Sequence, residues 1–175
     1  MAKKYHCPFK LGTPVVFEPL NFNPKFWDTL FIMIIGAYPP TINYNKQEHL
    51  NIEKGFISTM SNLRYTLPCS FCRESYKKFY NQLPIKQFSQ GRITMMYWLY
   101  LMKDLVNKKL ITQELDYLTD LHKNYRTNKI NIIKYTSKSK GCFTTSPSPK
   151  FMEVLEKYSA LRAICNKKLK KCIAQ

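Results

Sequence analysis

The chain has 175 residues, of which 45% are hydrophobic, so it can bury the core of one ordinary domain, which argues against wholesale disorder. Only five glycines are present and neither common Gly-rich phosphate loop occurs, which argues against a Rossmann or P-loop nucleotide site. The net charge is +17, with +6 in residues 1–122 and +11 in residues 123–175. The last third is therefore a basic extension that can attract an anionic partner, unless its lysines serve only solubility.

The first predicted helix follows a short irregular start. Three prolines interrupt residues 1–20, after which Asn23 can act as N-cap and Pro24 can open a helix over 24–38. This helix is apolar almost all round and should be buried. Its run "FWDTLFIMIIGAY" contains Asp28 and is too short to span a bilayer, and the basic start of the chain lacks the apolar stretch of a secretory signal. We therefore expect a soluble protein, cytoplasmic or within an organelle.

Four more helical segments are predicted along the middle of the chain. The segment "KQEHLNIEKGFISTMSNLRYTL" has apolar residues at helical spacing and ends at Pro68. The third, "CSFCRESYKKFYNQL", places Cys72, Tyr76 and Phe79 on one face. After the loop "PIKQFSQGR", the segment "ITMMYWLYLMKDLVNKKL" forms a fourth helix rich in large apolar residues. A short fifth helix, "TQELDYLTDLHKNY", has Thr112 as its N-cap and acidic residues in its first turn.

The C-terminal region is predicted to be a linker and one further helix. The stretch 127–150 is polar and ends in "TTSPSPK". The segment "KFMEVLEKYSALRAICNKKLKK" is amphipathic, with one apolar stripe formed by Phe151, Val154, Leu155, Tyr158, Leu161 and Ile164/Cys165. The predicted fold class is all-α: a four-helix bundle with a short fifth helix, followed by a basic helical C-terminal extension. The chain is divided into an irregular N-terminal segment (1–21), a helical domain (22–122), and a basic linker with an amphipathic C-terminal helix (123–175).

The motif "LPCSFC" raises three alternatives for Cys69 and Cys72. A structural zinc site usually needs a second cysteine pair, and here the three histidines are scattered, so no metal is expected. Two small core residues are the second alternative. The third is a redox disulfide, favoured because the start of a helix stabilises a thiolate and Arg73 adds positive charge. No strand is predicted before the pair, which argues against a thioredoxin fold. Aromatic residues make up 14% of the chain and can line a planar cofactor inside a helical bundle.

Three segments, "NPKFWDTLF", "LPCSFC" and "WLYLMKDLVNKKL", in this order and spacing, resemble the Erv/ALR sulfhydryl oxidases. That family consists of FAD-dependent helical enzymes that make disulfides and pass the electrons to oxygen. The resemblance covers about residues 22–122. It rests on the intact Leu-Pro-Cys-x-x-Cys motif and on matches to the patterns of the first and fourth helices at Trp27, Leu30, Trp98, Leu99, Val106, Asn107 and Leu110.

The sequence also departs from the family pattern. Two histidines that help to hold the adenine side of FAD are replaced by Phe31 and Lys103, although a Phe can stack on adenine and a Lys can pair with a phosphate. Tyr100 replaces a cysteine of the usual structural disulfide, and Phe22 and Asn23 replace a Trp and a Gly. Such divergence is similar to the virus-encoded branch of the family. It implies a member encoded by a large DNA virus, located in the host cytoplasm or the virion.

The resemblance implies a sulfhydryl oxidase cycle that forms disulfides in protein substrates. A substrate thiolate attacks Cys69, the more exposed partner, and Cys72 lies nearer the flavin. FAD then takes two electrons and passes them to oxygen, which gives hydrogen peroxide. The residues that the resemblance assigns to FAD lie on the first, third and fourth helices: Trp27, Phe31, Cys72, Trp98, Lys103, Val106, Asn107 and Lys109. Without the resemblance, the same aromatic residues would simply be core.

Many members of the family also carry a mobile shuttle pair and form dimers through their first helices. The shuttle candidates are Cys142, Cys165 and Cys172, which can equally be reduced or structural thiols. In one continuous helix Cys165 and Cys172 would lie roughly 10 Å apart, too far for a bond, so either the helix ends near Asn166 or these cysteines pair elsewhere. Cys142, in the predicted linker, suits a shuttle best. The implied partners are a dithiol protein, thioredoxin-like or from a virion, molecular oxygen and a second copy of the chain.

Two other classes of function are compatible with the sequence. A degenerate oxidase, its flavin site lost with the histidines, would be a scaffold with the right fold and no colour. A basic all-α module could bind nucleic acid through its C-terminal region, with salt-dependent affinity and incidental cysteines. Oxidation of a dithiol distinguishes the enzyme from both.

Overall fold

The computed structural model of the chain describes residues 19–68, 70–126, 147–166 and 171–174. This part contains five α-helices and a 3₁₀ helix, so the predicted helical fold is confirmed, with one small antiparallel hairpin added. The elements are α1 (Pro19–Ala37), α2 (Gln47–Thr66), α3 (Ser70–Gln82), the 3₁₀ helix (Ile85–Phe88), α4 (Arg92–Arg126), α5 (Phe151–Ser159), β1 (Ala163–Asn166) and β2 (Lys171–Ala174).

The helix boundaries differ from the predicted ones at α1 and α4. α1 begins at Pro19 rather than at Asn23 and Pro24. A proline is well accommodated in the first helical turn, where its missing N–H has no helical acceptor. α4 runs for 35 residues without a break, so the separate helix predicted from Thr112 onward is wrong. The Thr112 hydroxyl donates to the carbonyl of Lys108, one turn earlier, at 3.0 Å, which is a mid-helix bond and not an N-cap bond.

The predicted C-terminal helix is also shorter than expected. α5 ends at Ser159, and a hairpin follows in which Cys165 is the Cα partner of Cys172. The apolar stripe of α5 packs against α1 and α4, whereas Leu161, just beyond the helix, is 56% exposed. Nine residues are too few for a stable isolated helix, so we attribute the early end of α5 to the end of its packing surface.

The core lies between α1 and α4 and is closed by α2, α3 and α5. Its largest fully buried side chains are Trp98, Tyr38, Tyr158, Phe31, Ile34, Met60, Met95, Met96, Leu99 and Met102. Tyr158 belongs to α5, so the C-terminal helix is part of the same core as the bundle. In the part of the chain that the structure describes, no helix has the combined length and apolar character to cross a membrane.

Hydrogen bonds link the end of α1 to the tight turn that precedes α4. The Tyr38 hydroxyl donates to the carbonyl of Ser89 at 2.7 Å, and the Arg92 side chain donates back to the carbonyl of Tyr38 at 2.7 Å. The Arg92 backbone N–H also bonds the carbonyl of Pro39 at 2.9 Å. Ser89 is buried and donates to the carboxylate of Glu53 on α2 at 2.6 Å. The Tyr-Pro dipeptide after the first helix is therefore a structural anchor for the start of α4.

Gly91 is required by the close approach of two chain segments in this turn. A Cβ atom at this position would lie 2.3 Å from the carbonyl oxygen of Pro40, which is backbone and cannot rotate away. We expect Gly91→Ala to lower the free energy of unfolding by about 1–3 kcal/mol, the usual cost of overpacking. Urea denaturation of both forms measures the difference.

Gly55→Ala is the matched control, because nothing lies within 4 Å of a Cβ built at Gly55 in the middle of α2. This change should raise stability by about 0.5–1 kcal/mol through helix propensity alone. A Gly91→Ala variant as stable as the unchanged protein would show that the turn can open without cost.

Candidate functional site

The cysteine motif lies at the junction of α2 and α3. α2 ends at Thr66, Leu67 takes an extended conformation, and its N–H still bonds the carbonyl of Leu63 at 3.1 Å. Pro68 follows and disfavours a helical continuation. Cys72 is the third residue of α3, partly buried and packed against the core, whereas Cys69 lies outside the described residues. Cys72 therefore sits in the first helical turn, where backbone N–H groups favour an anionic sulfur.

The surface beside the motif is aromatic and basic. The guanidinium of Arg73 donates a hydrogen bond to the carbonyl of Leu67, so its positive charge is held over the α2–α3 junction. Phe71 lies between the two cysteines in sequence and is 73% exposed, and Tyr65 is 68% exposed. The guanidinium of Arg64 lies 5.3 Å from the centre of the Tyr65 ring. Phe71 and Tyr65 are therefore open to solvent at the junction of α2 and α3.

Behind Cys72, aromatic side chains connect α3 to α4. The Tyr76 hydroxyl donates to the carbonyl of Met60 at 2.8 Å, and burial raises the pKa of Tyr76, so its phenol stays protonated. Tyr80 stacks on Tyr76 with ring centres 6.1 Å apart and meets the edge of Trp98 at 5.9 Å. The Trp98 indole N–H donates to the carbonyl of Leu83 at 3.0 Å. This layer fixes the orientation of α3 against the fully buried Trp98.

Lys109 is the predicted cofactor residue that reaches α3. Its ammonium group donates to the hydroxyl of Ser75 at 2.5 Å, and Ser75 lies one turn after Cys72 on the same helix. Cys72 lies on α3, and Trp98 and Lys109 lie on α4, which packs against α3. Lys109 bonds α3 one turn after Cys72, and Trp98 packs on Tyr80 further along α3. We call Cys72, Trp98 and Lys109 the dithiol-side residues.

A second group of predicted cofactor residues lies between α1 and α4. Phe31 is completely buried and Trp27 nearly so. The ammonium group of Lys103 lies 5.9 Å from the centre of the Phe31 ring. Burial lowers the pKa of Lys103, and the neighbouring carboxylate of Asp28 opposes this shift without cancelling it. A buried aromatic ring with a cation beside it is the combination that can hold a base and a phosphate.

The C-terminal helix covers this second group. Tyr158 stacks on Phe31 with ring centres 4.7 Å apart and planes 16° apart. The Tyr158 hydroxyl donates to the carboxylate of Asp28, and the ammonium group of Lys157 lies 3.4 Å from the same carboxylate. Burial tends to raise the pKa of Asp28, but the hydrogen bond from Tyr158 and the charge of Lys157 outweigh it and leave the pKa lowered.

The residues just before α5 extend this contact along α4. The Asn107 amide donates to the hydroxyl of Ser148 at 2.9 Å, and the Tyr100 hydroxyl donates to the carbonyl of Pro149 at 3.0 Å. Phe151 packs on Tyr97 and Tyr100, with ring centres 4.9 and 5.5 Å apart. Sequence reasoning identified the apolar stripe of α5 but not its partners. The aromatic residues at positions 97 and 100 were the available signal.

Phe31, Lys103 and Asn107 are the residues that would hold the adenine half of FAD. Phe31 has no exposed surface and its ring is stacked on Tyr158, while the amide of Asn107 is bonded to Ser148. With residues 148–159 in place, Phe31 and Asn107 do not fit the adenine half of FAD, because Tyr158 covers the Phe31 ring and Ser148 accepts the hydrogen bond of the Asn107 amide. Val106 is partly buried and packs against the core, and none of the polar contacts described above involves it.

The remaining predicted site residues are placed as follows. Cys142 lies outside the described residues, and Cys165 and Cys172 occupy opposite register positions in the hairpin. Among the described residues, no group of three or more His, Cys, Asp or Glu side chains is arranged to hold a metal ion.

Comparison with protein families now assigns the class of protein. The family model described as the Erv1 / Alr family matches residues 24–142, which is most of the chain and includes the cysteine motif. The chain therefore belongs to the Erv1/Alr family. Membership places it, at the level of the family, among FAD-linked sulfhydryl oxidases of helical fold. No curated protein and no solved structure matches the chain.

Proposed function

We propose that the protein is a FAD-linked sulfhydryl oxidase that forms disulfide bonds in protein substrates, with Cys69 and Cys72 as its redox pair. The observation that carries this proposal is the position of the family's cysteine motif. Cys72 lies in the first turn of α3, four residues after Pro68, and packs against the buried core. Neither a scaffold nor a nucleic-acid-binding module requires this arrangement.

The proposed thiol chemistry uses groups of the chain itself. A substrate thiolate attacks the sulfur of Cys69, the Cys69–Cys72 bond breaks, and Cys72 leaves as a thiolate. The second substrate thiol then attacks the mixed disulfide, so the substrate leaves oxidised and both enzyme cysteines are reduced. The start of α3 and the charge of Arg73 stabilise the departing thiolate. Overall, one dithiol and one oxygen molecule give one disulfide and one hydrogen peroxide, with FAD as the proposed electron carrier.

The proposed FAD contacts comprise the dithiol-side residues and the group between α1 and α4. The first are Cys72, Trp98 and Lys109, and the second are Trp27, Phe31, Lys103, Val106 and Asn107. Within the second group, Phe31 is stacked on Tyr158 and Asn107 is hydrogen-bonded to Ser148.

Spectroscopy and oxygen uptake test the proposal together. The purified protein is incubated with FAD, freed of unbound cofactor, and its visible absorption is recorded before and after dithiothreitol is added in air. A flavin spectrum that bleaches with thiol and recovers as oxygen is consumed and peroxide forms is the expected result. A protein that stays colourless and oxidises no dithiol would contradict the enzyme proposal and favour a degenerate scaffold.

The hairpin suggests which cysteines act as the proposed shuttle. Directly opposed residues of an antiparallel pair have Cα atoms about 4.5–5.5 Å apart, within the range of a disulfide. Cys165 and Cys172 are such partners, which removes the geometric objection that a continuous helix would raise. A Cys165→Ser/Cys172→Ser double variant should still oxidise dithiothreitol and should oxidise a reduced protein substrate more slowly. Equal rates on the protein substrate would remove the shuttle role, and Cys142 would then be the next candidate.

The proposed partners are a dithiol protein, oxygen and a second copy of the chain. Ile32 and Met33 on α1 are each at least 40% exposed, which supports a dimer contact on that helix. Sedimentation of the full chain tests the dimer, since a monomer at all concentrations would contradict it. The thioredoxin-like or virion nature of the substrate, the anionic partner of the basic region, the viral origin and the location stay predictions.

A further inference from the structure

Residues 147–159, here called the strap, lie across α1 and α4 on the face that carries Phe31 and Lys103. We propose that the strap is an autoinhibitory element that must leave this face before the adenine half of FAD can bind there. The inference rests on the proposed oxidase function, because it concerns how the cofactor of that enzyme is admitted.

The contact is specific along the whole strap. At its beginning, Ser148 and Pro149 accept hydrogen bonds from side chains of α4. In its middle, Phe151 packs edge-on against Tyr97. At its end, Tyr158 combines a stacked ring with a hydrogen bond to Asp28. Apolar, stacking and polar contacts all serve one docked position, so the strap is not a loosely placed tail.

Tyr158 occupies the place on Phe31 that a planar base would take. The Tyr158 and Phe31 rings have the centre-to-centre separation and the near-parallel planes that are typical of offset aromatic stacking. The ammonium group of Lys157 also lies beside the Asp28 carboxylate, which interacts electrostatically with Lys103 as well. The strap therefore occupies the aromatic face of the site and the carboxylate beside it. A base on Phe31 and the Tyr158 ring exclude one another if both use this face of the Phe31 ring.

The strap is suited to leave because its structure depends on docking. α5 has only nine residues, which is too short to stay helical alone in water. Its two buried side chains, Val154 and Tyr158, have their apolar partners on the bundle. Undocking and unfolding of the strap are therefore one event. A ligand that binds only the undocked form has its apparent affinity reduced by the fraction of molecules that are undocked.

The first test is the affinity of the full-length apoprotein for FAD, measured by the change in flavin fluorescence. Tyr158→Ala removes the stacked ring and the hydrogen bond to Asp28, and it should tighten FAD binding by about tenfold. ADP, which has the adenine and pyrophosphate without the flavin, should gain affinity by the same factor. Met152→Ala is the control on the same helix, because Met152 is exposed, and its affinity should equal that of the unchanged protein.

The second test uses the unchanged protein and needs no variant to fold. Lys157 is exposed on the strap, and limited trypsin digestion reports whether the strap is docked. FAD should accelerate cleavage after Lys150 and Lys157. Protection of these bonds by FAD, together with weaker binding in Tyr158→Ala, would show that the strap is a wall of the cofactor site and would overturn the proposal.

The outcomes separate the strap from the oxidase proposal. Equal FAD affinity in the unchanged protein and Tyr158→Ala, with thiols still oxidised, would refute the autoinhibitory role of the strap and leave the oxidase proposal intact. A protein that binds no FAD in either form would contradict both proposals.

Discussion

Cys72→Ser is expected to lower the rate of dithiol oxidation by about 1000-fold or more. Without the Cys69–Cys72 bond, a substrate thiolate has no disulfide to attack, and removing one member of a catalytic unit usually costs as much as removing the whole unit. Cys69→Ser should have the same effect. Oxygen uptake with dithiothreitol, at equal protein and FAD concentration, measures both variants.

The cysteine variants should keep the fold and the flavin spectrum. Cys72 is only partly buried, and Ser differs from Cys by one atom, so the change should be tolerated near the start of α3. Cys7→Ser is the matched control, because Cys7 lies outside the family match over 24–142, and it should retain the full rate. Turnover by Cys72→Ser close to that of Cys7→Ser would show that another cysteine pair does the chemistry.

Trp98→Ala is expected to lower the free energy of unfolding by about 3–5 kcal/mol. Trp98 has no exposed surface, and its removal leaves a large cavity between α3 and α4. The carbonyl of Leu83 also loses the indole N–H that it accepts at 3.0 Å. Urea denaturation followed by circular dichroism measures the loss, and FAD affinity should fall with it if Trp98 also contacts the cofactor.

Two further variants divide this effect into its parts. Trp98→Phe keeps most of the ring volume and removes the N–H, so it should cost about 1–3 kcal/mol, the range for a buried polar group left without its partner. Tyr65→Ala removes an aromatic side chain that is mostly exposed and should change stability by less than about 0.5 kcal/mol. If Trp98→Ala were no worse than Tyr65→Ala, the aromatic layer behind Cys72 would not be part of the stable core.

Local patterns in the sequence were sufficient for much of the helical fold. The spacing of apolar residues predicts α2 and α3, Pro68 marks the junction between them, and the stripe of α5 is visible from Phe151 onward. These features depend on residues a few positions apart, which interact whatever the rest of the chain does. The cysteine motif belongs to the same class, since its chemistry follows from its place at the start of a helix.

The ends of elements were harder to predict than the elements themselves. Thr112 is a good N-cap by type, yet its hydroxyl bonds one turn back and α4 continues past it. The C-terminal stripe suggested one helix, yet the chain turns after Ser159 and forms a hairpin. In each case the local residue types are compatible with more than one end of the helix, so they do not fix its last residue.

The strap could only come from the tertiary structure. Asp28 and Tyr158 are 130 positions apart, and the local sequence around one residue does not indicate that it contacts the other. The residue types at Phe31 and Lys103 suit a nucleotide, and the sequence determines that chemistry. Whether Phe31 and Lys103 contact a cofactor or α5 depends on which of the two binds more favourably to the same face of the Phe31 ring. That is a competition between long-range contacts, and no local pattern encodes it.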